Sequence, residues 1–188
     1  PHRVTGLHFG ESYTLTEIRA ADGYALADNI TFRLIQKTDE GGNPLEECQV
    51  YYLTTKNILF WKWDDWRLLD DATVIMRDDI TKVQISKKDL TTKEELHGAE
   101  LTLTDEKGNE IDRWVSTDAP HYMERLPAGK YTLTEVTAPD GYAIAERVEF
   151  EVLPTGEVQT FEMFDDTIKV KISKVDITTN EELPGAEL

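Results

Sequence analysis

The chain has 188 residues and a formal charge of −17, set by 20 Lys and Arg against 37 Asp and Glu, so it repels phosphate backbones and anionic lipid, and nucleic-acid binding is excluded. Hydrophobic residues make up 39%, enough for a folded core but too dispersed for a membrane span, so no membrane contact is expected in this segment. Cys48 is the one cysteine, which rules out an internal disulfide and a thiolate zinc cluster.

In chain order, the elements read as short period-two runs between turn signals, the pattern of strands. YTLTE (13–17) places Tyr13, Leu15 and Glu17 on one face, and ITFRL (30–34) follows the turn residues of ADGYA. QVYYLTT (49–55) and ILFWKW (58–63) are expected to form a hairpin around Lys56-Asn57, in a stretch rich in Tyr51, Tyr52, Phe60, Trp61, Trp63 and Trp66. Its rings either pack on the fold or make an exposed platform in which Trp61, Trp63 and Trp66 bind a host protein or glycan. Val74, Met76 and Asp78 then share a face. KVQISKK (82–88) turns Val83, Ile85 and Lys87 the same way, and TTKEELHGAE reads as a loop. AELTLTD, EIDRWVS, KYTLTEV, RVEFEVL and TFEMFDD follow, with Tyr131, Leu133 and Glu135, then Phe161, Met163 and Asp165, on inward faces. About seven strands in some 85 residues predict a β-sandwich. IKVKISK (168–174) repeats the opening pattern with Val170, Ile172 and Lys174.

Two internal registers fix the domain plan. TKVQISKKDLTTKEELHGAEL (81–101) matches IKVKISKVDITTNEELPGAEL (168–188) at an offset of 87, and YTLTEIRAADGYALA (13–27) matches YTLTEVTAPDGYAIA (131–145) at 118. The difference, 118 less 87, places 31 extra residues in the first copy between Leu34 and Met76. The expected plan is the later part of one domain at 1–79 with an aromatic-rich insertion at about 35–66, a complete domain at 80–166, and the opening strands of a third at 167–188. The fold class is all-β: tandem Ig-like, prealbumin-like sandwiches, one complete and two truncated. Neither terminus has a targeting or anchoring pattern, so the chain is expected to be an excerpt whose flanking sequence completes the end domains.

Three charged residues fall on apolar faces: Lys87, Glu135 and Asp165. A lone inward lysine at a strand end usually reaches water, but three in register call for a shared explanation. Buried unpaired, each ion would cost several kcal/mol, so the three must cluster and titrate together. Burial favours a neutral amine beside a neutral acid. Those are the forms that condense to an amide, with the lysine as nucleophile and the glutamate moving protons.

The motifs ISKKD with Lys87, LHGAEL, YTLTEVTAPDGY with Glu135, and MFDD with Asp165 resemble the collagen-adhesin B-type (Cna B-type) repeats of Gram-positive surface proteins and pilins. The resemblance covers the complete repeat and reaches into both partial ones. It implies an intramolecular isopeptide bond between Lys87 and Asp165, assisted by Glu135. In the first copy Glu17 would be the proton shuttle and Asp78 the acid; in the third, Lys174 would be the amine, expected to link to a carboxylate further along its own chain rather than to Asp78 of another molecule. It also implies a structural role at the bacterial cell surface, attached to the wall through regions outside this segment, with neighbouring domains of the same chain as partners, no cofactor, and no enzymatic turnover beyond the single bond.

Other motifs carry less. Leu153 to Gly156 (LPTG) lacks one residue of a sortase signal and reads as a turn. His2, His8, His97 and His121 have no metal-ligand spacing, and the acids of TDEGG and DDWRLLDD lack that of a calcium loop, so no metal site is expected.

Overall fold

The computed structural model describes residues 2–58 and 61–187. It holds eleven strands: β1 (Ser12–Leu15), β2 (Ile30–Thr38), β3 (Pro44–Ile58), β4 (Trp61–Leu68), β5 (Lys82–Asp89), β6 (Glu100–Asp105), β7 (Glu110–Val115), β8 (His121–Glu124), β9 (Gly129–Thr137), β10 (Val148–Val152) and β11 (Val158–Asp165). No helix occurs among the described residues. The strands form three sheets, in the orders β1-β2-β3-β4, β10-β9-β6-β7 and β11-β5-β8. By contact density the chain divides into two compact units. One takes Pro1–Val83, Met123–Gly129 and Glu151–Gln159; the other takes Gln84–Tyr122, Lys130–Phe150 and Thr160–Leu188.

In the first unit, β3 and β4 pair without a break from Tyr51↔Leu68 to Ile58↔Trp61. The aromatic hairpin therefore exists, but Lys56 and Asn57 lie inside β3 rather than at the turn, because cross-strand pairing of the β-rich run outlasts the local turn preference of Asn. The β2–β3 connection is an Asx turn: Asp39 Oδ1 accepts Gly41 N at 2.9 Å and Asn43 N at 2.8 Å, and Gly42 takes φ +83°. The β6–β7 connection repeats it at Asp105, which accepts Lys107 N at 2.9 Å and Asn109 N at 2.8 Å, with Gly108 at φ +82°. Both spell Thr-Asp-Glu-x-Gly-Asn, a third similarity that the two offsets do not contain.

The second unit shows the expected alternation. In β6 and β9 the register sets Leu103 against Leu133 and Asp105 against Tyr131. Leu101, Leu103, Tyr131, Leu133, Ile85 and Met163 are all buried. The run TTKEEL is a loop, shaped by Asp89 accepting Thr91 N and Thr92 N at 2.6 and 2.7 Å. β8, the seventh strand of the complete repeat, was expected in number but not located, since HYME is too short to show alternation.

The opening strand expected at 168–174 does not form. Val170 is 79% exposed and Ile172 78%, and the segment carries no strand. The run VIMRDD before residue 80 is likewise irregular. A strand needs a partner to satisfy its backbone; among the described residues neither segment has one. The turn after Lys174, by contrast, is complete: Asp176 Oδ1 accepts Thr178 N and Thr179 N at 2.7 and 2.9 Å.

The D-G-Y-A corners are alike in both copies. Ala25 N donates to Asp79 O at 2.8 Å and Thr81 N to Gly23 O at 3.1 Å; in the second copy Ala143 N donates to Asp166 O at 3.0 Å and Ile168 N to Gly141 O at 2.8 Å.

Candidate functional site

β5 is the central strand of its sheet, and its alternate residues Val83, Ile85 and Lys87 are buried, with Ser86 of the opposite face buried as well. That alternation, set by the apolar residues before it, carries the Lys87 side chain inward, where it is 1% exposed. β11 pairs beside β5 and delivers Asp165, also 1% exposed, through the same logic after Met163. β9 lies in the other sheet and turns Glu135 inward in register with Leu101. The three expected charges therefore converge. The Lys87 amine contacts Asp165 Oδ1 and lies 3.1 Å from Glu135 Oε1.

Three further bonds hold the segments that carry these groups. Glu135 Oε2 accepts the Ala145 N–H at 2.6 Å, tying β9 to the corner that follows it. Leu90 N donates to Asp165 O at 2.8 Å, and Leu96 N to Lys87 O at 2.7 Å. Glu135 Oε1 and Asp165 Oδ2 are buried and accept no well-formed hydrogen bond, so Glu135 Oε1 relies on its ion pair with the Lys87 amine. Burial is the largest influence on Asp165 and pushes its pKa up to about 6; Lys87 pulls it down, and the Glu135 carboxyl adds to the rise. Asp165 is thus more readily protonated than an ordinary aspartate.

The first copy reproduces one part of this site. Glu17 Oε2 accepts Ala27 N at 2.8 Å, the same bond that Glu135 makes to Ala145. Asp78 is exposed, and so is Lys174. Trp66 is half-buried with the Arg33 guanidinium 4.2 Å over its ring; the side chains of Trp61 and Trp63, and Phe60, lie outside the described residues. His121 stacks on Trp114 with ring centroids 4.2 Å apart and bonds Asp112 Oδ2 at 2.8 Å. No cluster among the described residues could hold a metal ion. A residue that the alternation argument passed over is Tyr142, whose hydroxyl donates to Asp89 Oδ2 at 2.8 Å.

Residues 81–167 match the family described as SpaA, prealbumin-like fold domain. This stretch is similar to SpaA-type prealbumin-like domains. It occupies a little under half of the chain. Among solved structures, the Bacillus anthracis TIE protein is 23% identical with a TM-score of 0.44, the match covering 75% of this chain and 29% of that one. The shaft pilin SpaA from Lactobacillus rhamnosus GG is 16% identical with a TM-score of 0.41, over 73% of this chain and 71% of that one. The pilus adhesin SpaC from Lactobacillus rhamnosus GG, in an open conformation, is 19% identical with a TM-score of 0.42, over 86% and 25%. The chain thus spans less than a third of the TIE protein. A comparison with curated proteins gives no match.

Proposed function

We propose that the chain is a structural region of a bacterial cell-surface protein, a stalk or pilin-like shaft, whose SpaA-type domain is closed by an autocatalytic bond between Lys87 and Asp165. The observation that carries this reading is the contact of the Lys87 amine with Asp165, each residue only 1% exposed, with Glu135 Oε1 3.1 Å from the same nitrogen. The unprotonated amine of Lys87 attacks Cγ of protonated Asp165, forming the C–N bond. Glu135 takes a proton from the nitrogen and gives one to the departing hydroxyl, which leaves as water. Nothing is oxidised or reduced, and the step occurs once, so the domain is not an enzyme with turnover.

The repeats support a partition at 1–79, 80–166 and 167–188, with Glu17, Asp78 and Lys174 serving in their own domains as Glu135, Asp165 and Lys87 serve in the complete one. The resemblance of residues 81–167 to the SpaA family supports a location at the cell surface. Intact mass of the denatured chain tests the bond: a deficit of about 18 Da, one water, is expected from the condensation, and the full sequence mass would refute it.

A further inference from the structure

Asp89 stands two residues after Lys87 and is buried. One of its oxygens shapes the following turn through Thr91 N and Thr92 N, and the other accepts the Tyr142 hydroxyl at 2.8 Å. The third repeat shows what the tyrosine is not for. Around Asp176 the same turn forms in full, with Asn180 N on Asp176 O at 2.8 Å, Asp176 N on Glu181 O at 2.8 Å and Leu183 N on Lys174 O at 2.8 Å. The Asx turn is therefore local and needs no phenol. In the first copy the equivalent tyrosine, Tyr24, finds the Arg125 guanidinium instead.

What the Tyr142–Asp89 bond adds is a tie between two segments that meet at the site. The Asp89 segment ends the Lys87 strand and, through Leu90 N, holds the carbonyl of Asp165. The Tyr142 segment holds Asp166 O through Ala143 N at 3.0 Å and the Glu135 carboxylate through Ala145 N at 2.6 Å. One hydroxyl thus closes a ring of contacts around amine, acid and proton shuttle. The bond draws Asp89 below the usual carboxylate range, after the larger effect of the Thr92 N–H, so the acceptor is charged and the tie is of the stronger kind.

We propose that Tyr142 is a positioning residue for the Lys87–Asp165 condensation, its hydroxyl on Asp89 holding the end of the lysine strand against the glutamate corner until the bond forms. This rests on the isopeptide reading above. The test follows the full chain made by cell-free synthesis, so that it starts unlinked, and measures two times for each variant: acquisition of protease resistance, which reports folding, and loss of water by intact mass. Tyr142→Phe is expected to fold on the parent's schedule and to lose water about tenfold more slowly, the effect of one hydrogen bond to a charged group. Asp89→Asn, which keeps an oxygen for Thr91 and Thr92 but leaves the phenol only a weaker, neutral bond from an amide nitrogen, is expected to show a smaller lag and carries the test if the Phe variant does not fold. Equal rates of water loss in variant and parent, a delay shared by folding and bonding, or failure of both variants to fold would each assign the tyrosine to stability alone. If the parent itself loses no water, the bond is absent and the isopeptide reading falls first.

Discussion

Glu135 is the residue on which the proposed condensation turns, because Lys87 and Asp165 can touch without reacting unless a proton moves between amine and hydroxyl. Glu135→Ala in the full chain is expected to keep the complete sequence mass while remaining folded; a variant that still loses one water would remove the glutamate from the mechanism. The acid has its own signature. Asp165 has a pKa of about 6 in the fold against an ordinary value of 3.8, so the fold prefers it protonated. Its stabilising effect is complete below the ordinary value and is lost as pH rises through about 6. Lys87 opposes the rise, so removing it pushes the acid further in the same direction. Comparing Lys87→Met with Lys87→Met/Asp165→Asn isolates this group from the other carboxylates. The single variant should melt progressively below the double variant as pH is raised from about 5 to about 7, and a constant difference across that range would contradict the burial of Asp165.

Two glycines at matching places in the D-G-Y-A corners separate local strain from close approach. Gly23 and Gly141 have φ of +82° and +87°, but a Cβ on Gly23 would meet Arg125 O at 2.5 Å, whereas one on Gly141 meets nothing within 4 Å. Gly141→Ala should cost roughly 1 to 2 kcal/mol for the left-handed backbone, and Gly23→Ala should cost more, read as a larger drop in denaturant midpoint; equal losses would show that the Arg125 contact yields freely. These corners, the strands of the complete repeat and the inward lysine were legible because alternation and repetition act over a few residues. The turns at Asp39 and Asp105 share Thr-Asp-Glu-x-Gly-Asn, a six-residue likeness too short to stand out beside the longer repeats. Residues 168–174 show the limit. Their pattern is that of a strand, but Val170 and Ile172 stay exposed because pairing is supplied by other segments and not by the run itself. Tyr142 was illegible for a related reason: its partner Asp89 is 53 residues away, and no periodicity announces a bond between two loops.

For the molecule as a whole, the proposed bond joins two neighbouring strands, β5 and β11, across 78 positions of sequence. By the loop-entropy estimate for crosslinks such a closure stabilises by roughly 4 to 5 kcal/mol, and it needs neither oxidant nor cysteine, consistent with a chain whose one thiol is Cys48. The mechanical effect is larger. Pulled from its ends, the linked chain carries force through the bridge and keeps the 78-residue loop closed, while Lys87→Met should release roughly 260 Å of additional extension at about 3.4 Å per residue. Equal extensions in parent and variant would mean that no covalent bridge bears load. The most direct measurement is a peptide map of the denatured, digested chain by tandem mass spectrometry. A branched peptide joining Lys87 to Asp165, lighter by one water than its two parts, is the predicted result; recovery of both residues in separate, unmodified peptides would contradict the account.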